Sequence, residues 1–210
     1  MLRFLTQDDL ARDPALATSM FRHRADQFHR RRGWAVDVNA AGEERDQYDA
    51  QGPLYVIWQA PDGRHGGSMR LLPTTGRTMV NDHFTHLLGG GTICSPLIWE
   101  CTRFCLAPGA HPRVAAALML GGGVFMQASG VRHFVGVFDA PMTRIYRLIG
   151  AEPDVMGAEG AGAGKTSIGL WTFTEADRAR VARRAGIAPE TAAAWFAQDR
   201  EAPRALIAAE

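Results

Sequence analysis

Three charged side chains stand among large apolar residues in strand-like stretches of the sequence. Glu100 and Arg103 occur in LIWECTRFCL, and Arg70 occurs in GSMRLL. Burying a charge is unfavourable unless it is paired or bound by a ligand, so each of the three needs a partner. Strand alternation places Glu100 and Arg103 on opposite faces, since they are three positions apart, and they cannot simply pair with each other. These residues are therefore structural ion pairs, solvent-facing edge residues or parts of a binding site.

Two further groups of residues near the N-terminus have types suited to chemistry. Asp46 and Asp49 lie in the acidic segment EERDQYD, where a carboxylate pair can bind a metal, act as acid and base, or hold an arginine. No EF-hand pattern or histidine cluster accompanies them, so no metal site is predicted. Arg24, Phe28 and Trp34 combine a cation with two aromatic rings, which either pack in the core or form a wall for a cationic or purine-bearing ligand.

Composition limits the classes of protein in which these residues could act. The chain has 210 residues, which suits one domain, and its 23 basic and 22 acidic residues leave no basic surplus for a general nucleic-acid binder. No apolar run has the length of a membrane span, and acidic residues interrupt the N-terminus where a signal peptide needs an apolar stretch. Three cysteines without CxxC spacing do not indicate a disulfide scaffold. We therefore expect a single cytoplasmic domain over residues 1–210 that binds neither nucleic acid nor membrane.

The elements that must hold these residues follow from periodicity and turn signals. Helical spacing of apolar residues predicts a helix over 14–31, whereas the acid-rich stretch 35–52 is predicted to be a long loop. The predicted strands are 54–59, 67–72, 97–106, 131–138 and 167–173, and the later helices are 112–129, 141–148, 175–185 and 189–198. This order predicts an α/β (α+β) fold in which helices cover a mixed sheet.

Together, these residues resemble the signature of the acyl-homoserine-lactone synthases, the autoinducer synthases of bacterial quorum sensing. The eight positions are Arg24, Phe28, Trp34, Asp46, Asp49, Arg70, Glu100 and Arg103. The surrounding words RxxxFxxRxGW, DxxDxxGPLYV, GSMRLLPTTGRTMVNDHF and WECTRFCL resemble that family as well. The likeness covers residues 1–150 closely and fades through the C-terminal third.

The resemblance implies a fold like that of the GNAT acyltransferases, with a lid region over residues 1–52 and a sheet core over 53–210. It implies two substrates, S-adenosylmethionine and an acyl thioester on acyl carrier protein, with no further cofactor and no metal. The products would be an N-acyl-L-homoserine lactone, methylthioadenosine and the free thiol carrier. Acyl-coenzyme A as donor is one alternative, and a GNAT-like N-acyltransferase acting on another amine is a second.

The resemblance also implies roles in catalysis. Glu100 is the expected base, directly or through a water, because the amine must be neutral to attack a thioester. Burial among aromatic neighbours would raise the pKa of this carboxyl toward a useful value. Arg103 and Arg24 are the candidates to clamp the methionine carboxylate of the substrate.

The remaining five positions are expected to bind substrate or to brace the lid. Phe28 and Trp34 would pack on the adenosylmethionine, since its positive sulfonium favours an aromatic wall. Asp46, Asp49 and Arg70 would tie the lid to the sheet and contact the amine as further members of the catalytic set.

The acyl chain is expected to enter a tunnel between the sheet and helix 112–129. Its predicted lining includes Leu118, Met119, Phe125, Met126 and Phe138. Family members that make 3-oxo products often carry a small hydroxyl residue around 136–140, where this chain has GVFDAP, so Phe138 argues against a 3-oxo preference. Because carrier protein is acidic, Arg144 and Arg147 on one helix face are the predicted docking points.

Overall fold

A seven-stranded mixed sheet forms the centre of the structure, a computed structural model that describes residues 1–201. The strands are β1 (Leu2–Thr6), β2 (Leu54–Gln59), β3 (His65–Pro73), β4 (Ile98–Leu106), β5 (His133–Asp139), β6 (Asp154–Glu159) and β7 (Thr166–Thr172). Their order across the sheet is β1-β2-β3-β4-β5-β7-β6, and β4–β5 is the one parallel pair among these strands. The prediction of an α/β fold with a mixed sheet is confirmed.

Helices lie on both faces of this sheet. They are α1 (Gln7–Ala11), α2 (Pro14–Arg24), α3 (Met79–His83), α4 (Arg113–Ser129), α5 (Ala140–Ile149), α6 (Glu175–Ala185) and α7 (Pro189–Glu201). A π-helical turn over Ala25–Arg31 continues α2, and short 3₁₀ helices span Thr85–Leu88 and Gly162–Gly164. The apolar core around α4 fills one face, whereas α2 packs on β2 from the other.

The sequence-based prediction missed two strands, β1 and β6. β1 has only five residues and runs straight into α1, whose capping box begins at Thr6, so it is too short to show a clear period. β6 is an edge strand with only β7 beside it, and it leaves Val155 and Met156 exposed. Its sequence DVMGAE shows no alternation because neither of its faces is buried.

The glycine triplet in α4 brings that helix close to the sheet. A Cβ atom on Gly121 would lie 2.7 Å from Cγ1 of Val56, and one on Gly122 would lie 2.9 Å from Cε of Met69. Larger side chains would push the helix off the strands. The triplet thus permits close packing of α4 on the sheet, and the helix continues through it to Ser129.

The sheet opens between β4 and β5. These two parallel strands pair only from Ile98–Glu100 to His133–Val135. Beyond that point β4 continues alongside β3 and β5 continues alongside β7. A gap therefore forms between the second halves of β4 and β5, with α4 behind it.

Candidate active site

A β-bulge in β4 determines where its charged side chains point. Ser68 pairs with Cys105 and Arg70 with Thr102, so β4 has one residue more than β3 between these pairs. Arg103 lies in the bulge with a φ of 52°, the one positive φ at a non-glycine position in residues 1–201. An extra residue shifts the alternation of a strand and re-aims the side chains beyond it.

Because of the bulge, Glu100 and Arg103 lie on the same face of β4 and not on opposite faces as predicted. Phe104 packs on the α4 core together with Trp99, whereas Arg103 turns toward the N-terminal segment. Glu100 points to that same face, where it meets the start of α3. The prediction was wrong because strand alternation assumes an unbroken register.

Six charged residues on this face form one closed network, the ionic cluster. Its members are the arginines Arg24, Arg70 and Arg103 and the carboxylates Glu44, Asp46 and Asp49. Three positive charges thus meet three negative charges within largely buried surroundings. Five of the six are among the residues predicted from the sequence, and the sixth, Glu44, lies in the same acidic segment EERDQYD.

All three guanidinium nitrogens of Arg24 donate to carboxylates of the ionic cluster. Its Nε donates to Glu44 Oε2 at 2.6 Å, and its two terminal nitrogens donate to the two oxygens of Asp49 at 2.9 Å each. The side chain is 1% exposed and does not line the cavity described below. A direct clamp from Arg24 on a substrate carboxylate is therefore not what the structure shows.

Arg70 joins the N-terminal carboxylates to the sheet. Its guanidinium donates to both oxygens of Asp46, to Asp49 at 2.9 Å and to Thr102 Oγ1 at 3.1 Å. Burial alone would raise the pKa of Asp49, but Arg24 and Arg70 outweigh burial and hold that pKa below its usual value. Both aspartates are thus ionised acceptors that hold the segment around residue 46 against β3.

Of the three arginines in the cluster, Arg103 is the one that also lines the cavity described below. It donates to Glu44 at 2.9 and 3.1 Å and lies 2.8 Å from Asp46, while its guanidinium carbon lies 5.4 Å from the centre of the Phe28 ring. Its side chain is 10% exposed and lines the cavity. Among the cluster's arginines, it is the one placed to meet a ligand.

Glu100 stays apart from the arginines although it is fully buried. Its Oε1 accepts from the Val80 backbone N–H at 2.6 Å and its Oε2 from that of Met79 at 3.1 Å. Burial raises the pKa of Glu100 to about 7, against the opposing effect of these two N–H donors. A carboxyl with such a pKa can exchange a proton near neutral pH. Glu100 does not itself line the cavity, but Met79 beside it does.

A cavity of about 360 Å³ occupies the gap between β4 and β5. Residues 101–104 of β4 and 137–139 of β5 form its sides. One end, the N-terminal wall, consists of Gln27, Phe28, Arg32, Trp34 and Val36. A second, apolar part of the lining, called the apolar end below, consists of Met119, Phe138, Met142, Tyr146 and Trp171. One continuous space therefore joins a polar, aromatic wall to an apolar box.

The N-terminal wall depends on the π-helical turn that follows α2. Phe28 lies in this turn, and the Trp34 backbone N–H donates to its carbonyl oxygen at 2.9 Å. The two rings stack with centroids 5.2 Å apart and 12° between their planes. Trp34 is 41% exposed, so its outer face is open to a ligand.

At the apolar end, three aromatic rings meet edge to face. The Tyr146 ring centroid lies 5.4 Å from that of Phe138 and 5.0 Å from that of Trp171. Of the five residues predicted to line an acyl tunnel, Met119 and Phe138 line the cavity. Leu118, Phe125 and Met126 are buried in the adjacent core instead.

Comparison with known proteins shows to which family the chain belongs. The model of the family described as autoinducer synthase matches residues 8–183. An acyl-homoserine-lactone synthase from Rhizobium etli is 43% identical over 190 residues, covering 87% of this chain and 89% of that protein. The chain belongs to the autoinducer synthase family. It is therefore an acyltransferase, and its reaction is that of an acyl-homoserine-lactone synthase.

Solved structures of autoinducer synthases share the fold. The CoA-dependent synthase MesI matches with a TM-score of 0.77 and 26% identity, over 90% of this chain and 96% of that one. BjaI, solved with S-adenosylmethionine and isopentyl-CoA, matches with a TM-score of 0.79 at 22% identity, over 89% and 90% of the chains. FeeM, an N-acyl amino acid synthase from uncultured soil microbes, matches in fold with a TM-score of 0.55 at 14% identity, over 83% of this chain and 92% of that one, in agreement with the predicted GNAT-like fold.

The two predicted docking residues of this synthase lie on the surface of α5. Arg144 and Arg147 are both exposed, and Arg147 borders a shallow groove together with Arg180 and Arg184 of α6. Glu152 also borders that groove and lies 3.7 Å from Arg147.

Within residues 1–201, no helix is long and apolar enough to cross a membrane, and no three acidic, histidine or cysteine side chains are grouped to hold a metal ion.

Proposed function

We propose that both substrates occupy the single cavity between β4 and β5, with S-adenosylmethionine at the N-terminal wall and the acyl chain at the apolar end. The observation that carries this assignment is the opposite chemistry of the two ends within one continuous space. A cation with a carboxylate and a purine suits stacked aromatic rings beside an arginine. A hydrocarbon chain suits the aromatic box.

Arg103 binds the substrate carboxylate, and the rest of the ionic cluster holds Arg103 in place. Glu44 and Asp46 orient its guanidinium, while Arg24 and Arg70 fix those two carboxylates in turn. This assigns Arg24, Asp46 and Arg70 to positioning. The lid is then braced against the sheet before substrate arrives, which lowers the entropy lost on binding.

Glu100 acts as the base for acyl transfer, through an intervening water. Both its oxygens accept backbone N–H groups and it lies behind Met79, so the water route fits the geometry better than direct contact. The proton leaves the substrate ammonium, and the neutral amine attacks the thioester carbonyl. A C–N bond forms, the C–S bond breaks, and the thiolate takes up a proton as it leaves.

Lactone formation follows within the same cavity. A carboxylate oxygen of the acylated intermediate attacks its own γ-carbon, which forms a C–O bond and breaks the bond from that carbon to the sulfonium. The sulfonium leaves as neutral methylthioadenosine, so this step needs no further acid or base. The enzyme contributes by holding the chain folded so that these atoms meet.

The acyl donor is a thioester of acyl carrier protein, delivered at the basic face of α5 around Arg144 and Arg147. Acidic carrier protein complements these exposed cations. Acyl-coenzyme A is the second candidate, which the likeness to the CoA-dependent synthase MesI favours.

Three free cysteines agree with a reaction in the reducing cytoplasm.

The test is release of methylthioadenosine by the purified chain with S-adenosylmethionine and a panel of acyl thioesters. Each acyl group is supplied once on carrier protein and once on coenzyme A. Lactone and methylthioadenosine in equal amounts are expected. Turnover of a thioester without methylthioadenosine would favour an N-acyltransferase acting on another amine, and turnover of no donor would refute the proposal.

A further inference from the structure

The carboxylate of Glu100 is held by a helix that is too short to be stable by itself. Both of its oxygens accept backbone N–H groups of α3, from Val80 at 2.6 Å and from Met79 at 3.1 Å. This helix has only five residues, and a helix of that length does not persist without support from its surroundings. The position of the two N–H groups therefore depends on the side-chain contacts that fix α3.

These contacts join α3 to different parts of the fold. Val80 is fully buried against the sheet, and Asn81 exchanges two hydrogen bonds with the backbone of Ile93 at 2.7 and 2.8 Å. A further contact is made by Asp82, whose Oδ2 accepts the O–H of Tyr48 at 3.0 Å. This hydrogen bond joins α3 to the acidic segment EERDQYD, which carries the carboxylates of the ionic cluster.

Tyr48 is itself positioned by the ionic cluster. Its side chain is buried, and its backbone N–H donates to Asp46 Oδ1 at 2.9 Å. The guanidinium carbon of Arg70 lies 5.5 Å from the centre of its ring. Asp46 also lies 2.8 Å from Arg103, the arginine proposed to bind the substrate carboxylate. One short segment thus contacts this arginine through Asp46 and the helix that holds Glu100 through Tyr48.

We propose that Tyr48 and Asp82 are positioning residues for Glu100, because their hydrogen bond docks α3 on the ionic cluster and so keeps its two N–H groups on the carboxylate. This rests on the proposed role of Glu100 as the base. Neither Tyr48 nor Asp82 is among the residues that line the cavity, so both act through α3 and not on a substrate.

The docking of α3 affects the acid–base behaviour of Glu100. Burial raises the pKa of this carboxyl, whereas the two N–H donors and Arg70 of β3 lower it and Asp46 raises it. Beside it on β4, the Cys101 thiol is neutral because burial raises its pKa to about 12. The Tyr48 hydroxyl is neutral as well, since burial raises its pKa to about 12. Tyr48→Phe therefore changes no charge and acts through the position of α3.

The experiment measures kcat of Tyr48→Phe against pH, as methylthioadenosine release at saturating substrates. Weaker N–H bonds raise the pKa of Glu100 further, so the midpoint of the rising limb should move up by about half a unit or more. At pH 7 this lowers kcat about twofold or more, and kcat should recover toward the wild-type value near about pH 9. The KM for S-adenosylmethionine should change little, because the bonds of Arg103 remain.

Variants of Asp82 test the link from its more exposed side. Asp82→Ala removes the acceptor and should reproduce the shift of Tyr48→Phe. Asp82→Asn keeps an oxygen that can accept the O–H, so it should restore most of the wild-type midpoint. Arg77→Met removes the ion pair with Asp82 at 2.7 Å but keeps the acceptor, and should leave the midpoint unchanged.

Tyr55→Phe is the matched control for loss of a buried hydroxyl. The O–H of Tyr55 donates to Asp49 of the ionic cluster at 2.8 Å, and Tyr55 lies in β2. Whatever stability this variant loses, its midpoint should equal that of the wild type. Thermal unfolding of each variant measures the stability, and Asp82→Ala decides the outcome if Tyr48→Phe folds poorly.

An unchanged midpoint in Asp82→Ala and in a folded Tyr48→Phe would overturn the positioning role. A fall in kcat by the same factor at every pH would assign the pair to stability alone, and an equal shift in Tyr55→Phe would assign it to the cluster at large; both would overturn the role too. A wild-type rate without a rise through about pH 7 would instead refute Glu100 as the base. Absence of methylthioadenosine with every donor would refute the proposed function, and the positioning role with it.

Discussion

The ionic cluster and the apolar end of the cavity lie on either side of β4 and are stabilised by opposite kinds of interaction. In the cluster, six charges share directional bonds, and Arg70 alone contacts three partners. At the apolar end, rings such as Phe138 and Trp171 pack edge to face over many weak contacts. Removing one member of a buried charge network leaves its partners unpaired, whereas apolar packing gives way gradually. We therefore expect the cluster to control folding and catalysis, and the apolar end to control the choice of donor.

The largest expected effect comes from breaking the cluster itself. Arg70→Met leaves Asp46 and Asp49 facing each other without their shared cation, which should lower the free energy of unfolding by about 3 kcal/mol or more. Urea denaturation measures this loss. Arg12→Met removes an exposed ion pair with Asp9 and should change stability by less than about 1 kcal/mol.

A double variant sharpens the same point. Arg24 and Arg70 both donate to Asp49, so the combined loss in Arg24→Met/Arg70→Met should be smaller than the sum of the two single losses. Strictly additive losses would show that the cluster consists of independent pairs.

Glu100 belongs to neither region, and its substitution should affect the rate more than the fold. Glu100→Gln keeps oxygen and size but cannot accept the ammonium proton, so kcat should fall by about 100-fold or more. Single-turnover methylthioadenosine release measures this, with thermal unfolding as the check on folding. Turnover near the wild-type rate would remove Glu100 from the role of base.

The pH profile tests the same assignment without a change in structure. Since burial raises the pKa of Glu100 to about 7, the carboxyl is protonated and inactive below that pH. The rate should rise with pH through about 7 and then level off, and this rise should be absent from the residual activity of Glu100→Gln. A rate that falls as pH rises through this range would contradict the base role.

The two ends of the cavity should separate by substrate. Trp34→Ala removes one ring of the stacked pair and should raise KM for S-adenosylmethionine about tenfold, with little change for the acyl donor. Phe138→Leu should raise KM for the acyl donor and leave KM for S-adenosylmethionine little changed. Steady-state kinetics with each substrate varied in turn measures both KM values. Equal changes in KM for both substrates would contradict the assignment of one substrate to each end.

The smallest expected effect lies at the surface of α5. Charge reversal at Arg144 and Arg147 should raise KM for the carrier-bound donor about fivefold and leave the coenzyme A donor unaffected. Reversal at the exposed Arg12 and Arg64, which changes the net charge equally, is the control. Equal effects with both donors would place carrier docking elsewhere.

Much of this site could be predicted from sequence because residue type and spacing are local. Buried charges in LIWECTRFCL, the acidic segment EERDQYD and the aromatic residues after α2 are visible without a structure. The main helices and five strands follow from period and turn signals. β1 and β6 could not be predicted because one is short and the other lacks a buried face.

The sequence by itself determined the family, the set of charged residues and the order of elements along the chain. Tertiary structure decided which of those charges meet. The bulge at Arg103 depends on the register between β3 and β4, and Glu44 gains its role only where distant segments converge. The cavity likewise exists only because β4 and β5 part after Glu100. Such contacts depend on pairing between segments far apart in the chain, which local spacing does not encode.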